Sequence, residues 1–412
     1  MMKYLLFIGD GMADNPVPEL GGKTPLEYAS IPTIDAMSAR GVLGSVSNCP
    51  AGLPAGSDTA ITSIFGCDPR KYYTGRAPLE AAASGMRLAP GDIAYRCNMV
   101  AYEDAPEKPV AERRILSHSA GSIGAEESDT LIAWLFAEPE FAAAAEKAGM
   151  TVEPGHSFRH IAVQHGADAA GMRLIPPHDH LGEPIGPILP SGSANAETLR
   201  ALMALAFEKL DCHPINAARR AAGKLPANGI WFWAEGTAVE LPSFEKAFGH
   251  NGGVVSAVPL CHGIAALTGL EPVFVEGATG ELDTNLENKV AAVLRVLETH
   301  DFAALHVEAP DECTHNGDLK GKLQSIEWLD SRCLKPLTEA FAARGWDYRI
   351  LFLSDHKTLT STRGHDGDPV PFLLYDSTVD TGRGLPFSEA NGLKGTYYPD
   401  GAASCMKLLF GL

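Results

Sequence analysis

The sequence predicts an α/β protein with a doubly wound, mostly parallel sheet that carries a smaller inserted α/β domain. Apolar, strand-like runs alternate with helix-like stretches, a pattern typical of parallel sheets covered by helices on both faces. The length of 412 residues is more than a single core usually supports. The middle of the chain is richer in Pro, His and Gly. We therefore predict a first domain formed by residues 1–88 and 240–412, with residues 89–239 inserted into it.

Several elements can be predicted in chain order. The apolar run 4–8 predicts a first buried strand rather than a signal peptide, because it is short and ends at once in Gly9 and Asp10. Composition and apolar spacing predict helices in four stretches, namely 130–149, 196–210, 283–300 and 320–342. Asp283 or Thr284 is the expected N-cap of the third helix.

Composition and charge argue against some classes of function. The net charge of −18 argues against nucleic acid as the main partner, because phosphate contacts need a basic surface. A local basic pocket could still bind a small anionic substrate. The eight Cys residues form no C-x-x-C pair, which favours reduced thiols and a cytoplasmic location. No apolar run reaches the length of a membrane span, so no membrane partner is expected.

Residue types that bind metals follow three of the apolar, strand-like runs. These residues are Asp10 after the run 4–8, Asp311 and His315 after 303–307, and Asp355, His356 and His365 after 349–354. In open α/β sheets, ligands bind at the carboxyl ends of the strands. Each residue alone is weakly specific, since an Asp in a turn or a His in a loop is common. Together they predict a metal site that the fold assembles from separate segments.

Ser57 is the candidate nucleophile. It follows Pro54 and Gly56 and opens a helix-like stretch, so it should lie at a helix N-terminus, where backbone N–H groups favour an anion. Taken alone, a Ser in this position is more typical of a helix N-cap. Beside a divalent metal ion, however, a Ser hydroxyl becomes a nucleophile because the ion lowers its pKa.

Several stretches resemble the alkaline phosphatase superfamily and, within it, the cofactor-independent phosphoglycerate mutases of archaeal type. The matching stretches are 7–14 (FIGDGMAD), 55–60 (AGSDTA), 73–81 (YTGRAPLEA), 95–98 (YRCN), 275–280 (VEGATG), 311–315 (DECTH) and 355–358 (DHKT). Ala77, Leu359 and Asp366 depart from the residues usual in the family, and none of them removes a ligand. The resemblance implies an alkaline-phosphatase-like sheet with an inserted cap domain.

The resemblance also implies a site with two divalent metal ions, with manganese favoured over magnesium or zinc. One ion would be held by Asp311, His315 and His365. The other would be held by Asp10, Ser57, Asp355 and His356. Ser57 would carry the phosphoryl group as phosphoserine during turnover.

In the inserted domain, the resemblance implies residues that bind the rest of the substrate. His118 would act as an acid/base or phosphate ligand near the leaving oxygen. Arg96 and Arg159 would clamp phosphate and carboxylate through bidentate contacts. Further substrate-binding candidates are Asn98, Lys224 and Asn228. Most of the other His residues of the insert, at positions 156, 160, 165, 178 and 180, are interpreted as domain-edge side chains without a role.

The predicted function is therefore the interconversion of 3-phosphoglycerate and 2-phosphoglycerate, an isomerase reaction of glycolysis and gluconeogenesis that acts on a small phosphorylated substrate. Two alternatives remain open on the same scaffold. The stretches 117–121 and 176–179 resemble a bacterial branch that includes proposed homoserine kinases, which would make the chain a phosphotransferase. A metal-dependent phosphatase is the other alternative.

Overall fold

The computed structural model describes residues 2–382 and 384–412, and the chain divides into two compact units. The first unit comprises Met1–Tyr73 and Glu240–Leu412, and the second comprises Thr74–Val239. The two units divide after Tyr73 and after Val239, and the bounds of the inserted domain inferred from the sequence, 89–239, stay a prediction. A small apolar cluster ties Ala77 and Ala81 to strands of the second unit.

Strands and helices alternate along much of the described chain. The strands, in chain order, are β1 (Met2–Gly9), β2 (Val42–Val46), β3 (Ile93–Tyr102), β4 (Ile115–Ser117), β5 (Met150–His156), β6 (Arg159–Gln164), β7 (Gly229–Thr237), β8 (Gly252–Val255), β9 (Glu271–Val273), β10 (Phe302–Val307), β11 (Asp347–Leu353), β12 (Lys357–Leu359), β13 (Gly364–Asp366), β14 (Val370–Asp376) and β15 (Thr396–Tyr398). The α-helices are α1 (Pro25–Tyr28), α2 (Pro32–Arg40), α3 (Ser57–Ile64), α4 (Pro69–Tyr72), α5 (Ala77–Ala83), α6 (Ala125–Ala137), α7 (Pro139–Lys147), α8 (Ala194–Asp211), α9 (Pro214–Ala221), α10 (Phe244–Phe248), α11 (Pro259–Thr268), α12 (Leu286–Thr299), α13 (Ala309–His315), α14 (Leu319–Trp328), α15 (Lys335–Ala343), α16 (Glu389–Gly392) and α17 (Gly401–Phe410). Short 3₁₀ helices cover Pro18–Leu20, Val110–Glu112, Pro177–His180 and Gly186–Ile188.

The sheet of the first unit has the strand order β15-β2-β14-β11-β1-β10-β8-β9. Neighbouring strands from β11 to β9 are parallel, β14 is antiparallel to β11 and β2, and β15 is parallel to β2. The prediction of an α/β fold with a mostly parallel sheet is thus confirmed. Ile8 of β1 pairs in register with His306 of β10 and with Leu353 of β11. The carboxyl ends of these three strands therefore meet at one edge of the sheet.

The central strand β1 is apolar on both faces. Leu5 and Phe7 belong to a core cluster that also contains residues of α12 and α15. Leu6 and Ile8 point to the opposite face and are equally buried, at 0% and 1% exposure. Burial on both faces is the usual state of a parallel strand, and it explains why this run has no polar alternation.

The predicted helices are found with adjusted bounds. The helix predicted over 196–210 is confirmed as α8. The stretch 130–149 forms two helices instead of one, because Glu138 is extended (ψ 127°) and Pro139 disfavours the helical conformation in the residue before it. Among the described residues, no helix combines the length and the apolar character needed to cross a membrane.

The two C-terminal predictions also need correction in detail. The helix predicted over 283–300 is α12, and its N-cap is Asn285, whose side chain accepts from the backbone of Asn288, rather than Asp283 or Thr284. The stretch 320–342 consists of α14 and α15, joined by the π-helical residues Leu329–Leu334.

The second unit contains an antiparallel sheet. β3 pairs with β4, β6 and β7, and β5 pairs with β6. Arg96 and Asn98 lie two residues apart on β3 and therefore on the same face. Arg96 pairs in register with Trp233, and Asn98 with Arg159. The sheet thus brings three of the predicted substrate-binding residues to one face.

A buried ion pair joins the segments that follow β1 and β11. The ammonium group of Lys322 is 0% exposed and donates to Asp14 Oδ2 at 2.9 Å and to the carbonyl oxygen of Thr358 at 2.6 Å. The same carboxylate oxygen accepts from the backbone N–H and the hydroxyl of Thr360, at 3.0 and 2.7 Å. The pair therefore supports the edge of the sheet at which the predicted ligands lie.

Replacing Lys322 with Ala is expected to lower the free energy of unfolding by about 3–5 kcal/mol, because a buried carboxylate loses its charged partner. Lys320→Ala on the same helix is the matched control, since Lys320 is exposed, and it should change stability by less than about 0.5 kcal/mol. Urea denaturation measures both values. Equal stability of the two variants would show that the ion pair does not support the fold.

Candidate metal centre and active site

The side chains that the sequence marks as metal ligands lie together at the carboxyl edge of the first unit's sheet. They form two groups, with Asp10, Asp355 and His356 in the first and Asp311, His315 and His365 in the second. Within each group, one possible ligand atom from every residue lies within 4.8 Å of the others. The structure therefore brings together all six residues, although they come from distant parts of the chain.

Ser57 belongs to the first group. Its hydroxyl oxygen lies 3.2 Å from Asp10 Oδ2 and 3.1 Å from His356 Nε2. His356 Nε2 is in turn 3.2 Å from Asp355 Oδ2. The N-cap of α3 is Gly56, and Ser57 is the first helical residue. The Ser57 side chain therefore faces the ligands instead of capping the helix, which corrects the simpler reading of this position.

The second group is equally compact. His315 Nε2 lies 2.9 Å from His365 Nε2 and 3.2 Å from Asp311 Oδ2, and His365 Nε2 lies 3.4 Å from Asp311 Oδ1. Thr358 donates its hydroxyl to Asp311 Oδ1 at 2.5 Å, which orients that carboxylate. The ring centroids of His365 and His356 are 4.2 Å apart, so the two groups adjoin.

Backbone carbonyl groups fix the three imidazoles. The Nδ1 atoms of His315, His356 and His365 lie 2.8, 3.2 and 3.2 Å from the carbonyl oxygens of Arg363, Lys357 and Ala55, respectively. Because a carbonyl oxygen only accepts, each Nδ1 carries a proton and donates it. Each Nε2 is thereby turned toward its group, where it can hold a metal ion.

Burying carboxylates at one place is unfavourable unless positive charge offsets them. Asp10, Asp311 and Asp355 are 0%, 5% and 1% exposed. Burial, followed by repulsion from Asp355 and Asp311, raises the pKa of Asp10 well above its usual value. Burial also acts to raise the pKa of Asp311, but hydrogen bonds from His315 and His365 hold it well below its usual range. The hydrogen bond to Asp311 raises the pKa of His315 to about 9.

Asp355 shows the need for a cation most directly. Its Oδ1 accepts from the backbone N–H groups of Gly11 and His356, at 3.1 and 2.9 Å. Its Oδ2 is buried and has no hydrogen-bond partner among the described residues. Gly11 has a φ of 59°, and a Cβ there would lie 2.4 Å from Thr358 Oγ1, so the loop requires glycine. Buried carboxylate oxygens beside imidazole nitrogens form a donor set that fits divalent ions such as Mn²⁺, Mg²⁺ or Zn²⁺.

His306 positions Asp10, and the sequence analysis assigns it no role. Its Nε2 donates to Asp10 Oδ2 at 2.9 Å, and Ser256 Oγ donates to its Nδ1 at 3.1 Å. Burial, followed by the charge of Lys289, lowers the pKa of His306 to about 3, so the imidazole is neutral. The sequence does contain a signal for this role, since His306 is a polar residue inside the apolar run of β10. A polar group buried in this way needs a hydrogen-bond partner.

In the second unit, Arg96, Asn98 and His118 lie close to one another around Trp233. Asn98 donates from Nδ2 to the carbonyl oxygen of His118 at 3.0 Å and accepts from Trp233 Nε1 at 3.0 Å. The guanidinium carbon of Arg96 lies 4.8 Å from the Trp233 ring centroid. Glu80 binds Arg96 through two hydrogen bonds, one of which joins Nε to Oε2 at 2.7 Å. These contacts make Asn98 a positioning residue for its neighbours.

Arg159 reaches the same surroundings from β6. Its guanidinium carbon lies 4.3 Å from the ring centroid of Phe158, and that ring meets His118 edge-on at 5.6 Å. The Nδ1 atom of His118 is buried and has no hydrogen-bond partner among the residues that the structure describes. An imidazole nitrogen in that state is suited to binding a ligand. We call Arg96, Arg159, His118 and Trp233 the cationic cluster.

Asn228 and Lys224 are placed differently. Asn228 is 0% exposed, its Nδ2 donates to Asp211 at 2.9 Å, and its Oδ1 accepts from the backbone of Tyr102 at 2.8 Å. Both polar ends of the amide are thus engaged inside the unit, and the predicted substrate contact of Asn228 stays a prediction. Lys224 is exposed in the turn after α9, where its N–H donates to the carbonyl oxygen of Arg219, and its substrate contact stays a prediction.

Comparisons with known proteins agree on one family. Residues 38–216 match the family model described as 2,3-bisphosphoglycerate-independent phosphoglycerate mutase. The chain is 40% identical over 393 residues to the enzyme of that name from Methanosarcina acetivorans, covering 95% of each chain. It is 43% identical over 387 residues to a probable enzyme of the same name from Geobacter sulfurreducens, covering 93% of each.

Two solved structures share the fold. A protein from Pyrococcus horikoshii is 30% identical with a TM-score of 0.79, covering 100% of this chain and 98% of its own. The cofactor-independent phosphoglycerate mutase from Thermoplasma acidophilum is 24% identical with a TM-score of 0.61, covering 100% of this chain and 99% of its own.

Adding Mn²⁺ to chelator-treated protein is expected to raise the midpoint of thermal unfolding. An ion that binds only the folded state stabilises it, by about 2.7 kcal/mol for one site at a hundredfold excess over Kd. Scanning calorimetry along a MnCl₂ titration measures the shift. The control is the double variant Asp355→Ala, His365→Ala, which removes one ligand from each group and should shift far less. An equal shift in both proteins would mean that the ions act through other side chains.

Proposed function

The chain belongs to the family of 2,3-bisphosphoglycerate-independent phosphoglycerate mutases, and from this membership we propose that it interconverts 3-phosphoglycerate and 2-phosphoglycerate. The reaction is an isomerisation of glycolysis and gluconeogenesis. The single observation that carries the proposal is the position of Ser57, whose hydroxyl lies 3.2 Å from Asp10 and 3.1 Å from His356. A nucleophile among metal-type ligands is what transfer through a phosphoserine requires.

Two divalent ions complete the proposed site. We propose that one is held by Asp311, His315 and His365, and the other by Asp10, Ser57, Asp355 and His356. Carboxylate, hydroxyl and imidazole ligands suit Mn²⁺, Mg²⁺ or Zn²⁺, and Mn²⁺ is the proposed ion. When bound, such ions neutralise charge on the phosphoryl oxygens and lower the pKa of a nearby hydroxyl.

Ser57 carries the phosphoryl group from one oxygen of the substrate to another. Its Oγ attacks the phosphorus of 3-phosphoglycerate in line, the bond from phosphorus to the 3-oxygen breaks, and the Ser57 proton passes to the departing oxygen. The 2-hydroxyl of the retained glycerate then attacks the phosphoserine, the bond from Oγ to phosphorus breaks, and the 2-hydroxyl proton returns to Ser57. Water must be kept from the phosphoserine, since hydrolysis would make the enzyme a phosphatase.

The second unit supplies groups for the rest of the substrate. In this proposal Arg96 and Arg159 bind its anionic groups, because a planar guanidinium matches carboxylate and phosphate oxygens. His118 acts as the acid/base group near the leaving oxygen. Two observations support this assignment. The carbonyl oxygen of His118 accepts a hydrogen bond from Asn98, and its Nδ1 has no hydrogen-bond partner among the described residues.

Ser57→Ala is expected to lower kcat by roughly 10⁴-fold or more, because the group that accepts the phosphoryl is removed. Bound metal should change little, since the carboxylates and imidazoles remain. Ser63→Ala is the matched control: Ser63 lies on the same helix, is buried, and its hydroxyl has no hydrogen-bond partner among the described residues, so its removal should leave the rate near that of the unaltered protein. A coupled assay for 2-phosphoglycerate, without 2,3-bisphosphoglycerate, measures the rates.

Other substrates separate the alternatives. The same Mn²⁺-loaded protein would be given homoserine with ATP, and release of inorganic phosphate would be followed in parallel. Phosphohomoserine or free phosphate formed without isomerisation would overturn the mutase proposal while leaving Ser57 as the nucleophile. Isomerisation that persists in Ser57→Ala would exclude the phosphoserine route.

A further inference from the structure

His178 lies beside the cationic cluster, although the sequence analysis gives it no role. It belongs to the 3₁₀ helix Pro177–His180. Its ring centroid is 5.8 Å from that of His118 and 5.2 Å from that of Trp233, and it meets both rings edge-on. The ring therefore neighbours both the proposed acid/base group and the indole on which Arg96 lies.

The side chains around His178 are held in place by contacts of their own. Glu80, which is only 8% exposed, binds Arg96 through two hydrogen bonds and Arg76 through a bond of 2.8 Å. Burial acts to raise the pKa of Glu80, but the charges of Arg96 and Arg76 lower it to about 2, so the carboxylate stays charged. Trp233 is held by its indole bond to Asn98. These contacts hold Arg96 and Trp233 in place beside His178, and groups held in this way lose less entropy when a ligand binds.

Positive charge converges on His178 in a chain whose net charge is −18. Burial lowers the pKa of His178, Asp179 raises it, and the charges of Arg96, Arg159 and Arg76 lower it further. Asp179 Oδ1 is 3.5 Å from His178 Nε2, and its side chain is 60% exposed. The three guanidinium groups would attract an anion bound beside His178.

We propose that His178, beside the acid/base candidate His118, joins Arg96 and Arg159 in a site that binds the carboxylate of phosphoglycerate. The proposal rests on the mutase function and names the part of the substrate that this cluster recognises. In the proposed reaction the phosphoryl group is transferred to Ser57, so the carboxylate is the charged group of the substrate that takes no part in the transfer. Imidazole and guanidinium N–H groups both donate to carboxylate oxygens, and Trp233 gives the rings a rigid apolar support.

A direct test uses the Mn²⁺-loaded Ser57→Ala protein, which cannot turn its ligand over. Isothermal titration calorimetry compares 3-phosphoglycerate with glycerol 3-phosphate, which has the phosphoryl group but no carboxylate. Adding the His178→Ala substitution to this protein should weaken the binding of 3-phosphoglycerate about tenfold or more, because one hydrogen bond to a charged group is lost. The binding of glycerol 3-phosphate should stay unchanged. His178→Gln keeps an N–H donor and should recover part of the affinity.

His180→Ala is the matched control. His180 lies on the same short helix and pairs with Glu183 at 2.8 Å, so its loss should leave the affinity for both ligands unchanged. In the active protein, His178→Ala should raise KM for 3-phosphoglycerate by a similar factor and change kcat less. Thermal unfolding of each variant shows whether the fold is intact.

The outcomes separate this proposal from the function on which it rests. Unchanged 3-phosphoglycerate affinity in the His178→Ala protein, with isomerisation present in the unaltered protein, would overturn the carboxylate site and leave the mutase standing. Equal losses for the two ligands would also overturn the carboxylate assignment. Absence of isomerisation in the unaltered protein would overturn the function itself.

Discussion

Repulsion among Asp10, Asp311 and Asp355, three carboxylates buried near one sheet edge, is the constraint on which the rest of the structure depends. Neighbouring groups either reduce that repulsion or hold the side chains around the carboxylates in place. Carbonyl oxygens turn three imidazoles toward the carboxylates, and His306 donates to Asp10. A cation is the partner that this arrangement still requires, so the binding free energy of metal ions contributes directly to folding.

The sequence predicts those parts of the molecule that depend on local pattern. β1, β10 and β11 are apolar runs with a ligand residue just beyond their ends, and parallel pairing brings such ends to one edge. Pro139 is the local sequence signal for the break between α6 and α7. The helix-forming composition of the stretch nevertheless predicts one continuous helix. Most of the candidate ligands are predictable for the same reason, since each can be identified from its own segment.

Other features depend on contacts between distant segments, and a single segment does not reveal them. His306 matters because of Asp10, which lies 296 residues away along the chain. His178 is distinguished from His180 only by the rings of His118 and Trp233 that it meets. Nothing in the stretch around Asn228 shows whether its amide faces a substrate or, as the structure has it, Asp211. Roles of this kind follow from packing rather than from residue type.

The pairing of β1 has a consequence for how the chain is made. Its neighbours in the sheet are β10 and β11, so on the ribosome the first strand emerges long before either partner, while the contiguous residues of the second unit emerge in between. An apolar strand with unpaired edges is a site for aggregation or for chaperone binding during that interval. Asp10 and Ser57 likewise acquire their companions only when the C-terminal segments arrive. A nascent chain therefore holds Ser57 and Asp10 before His356 has been made, so the proposed site can form only when synthesis is nearly complete.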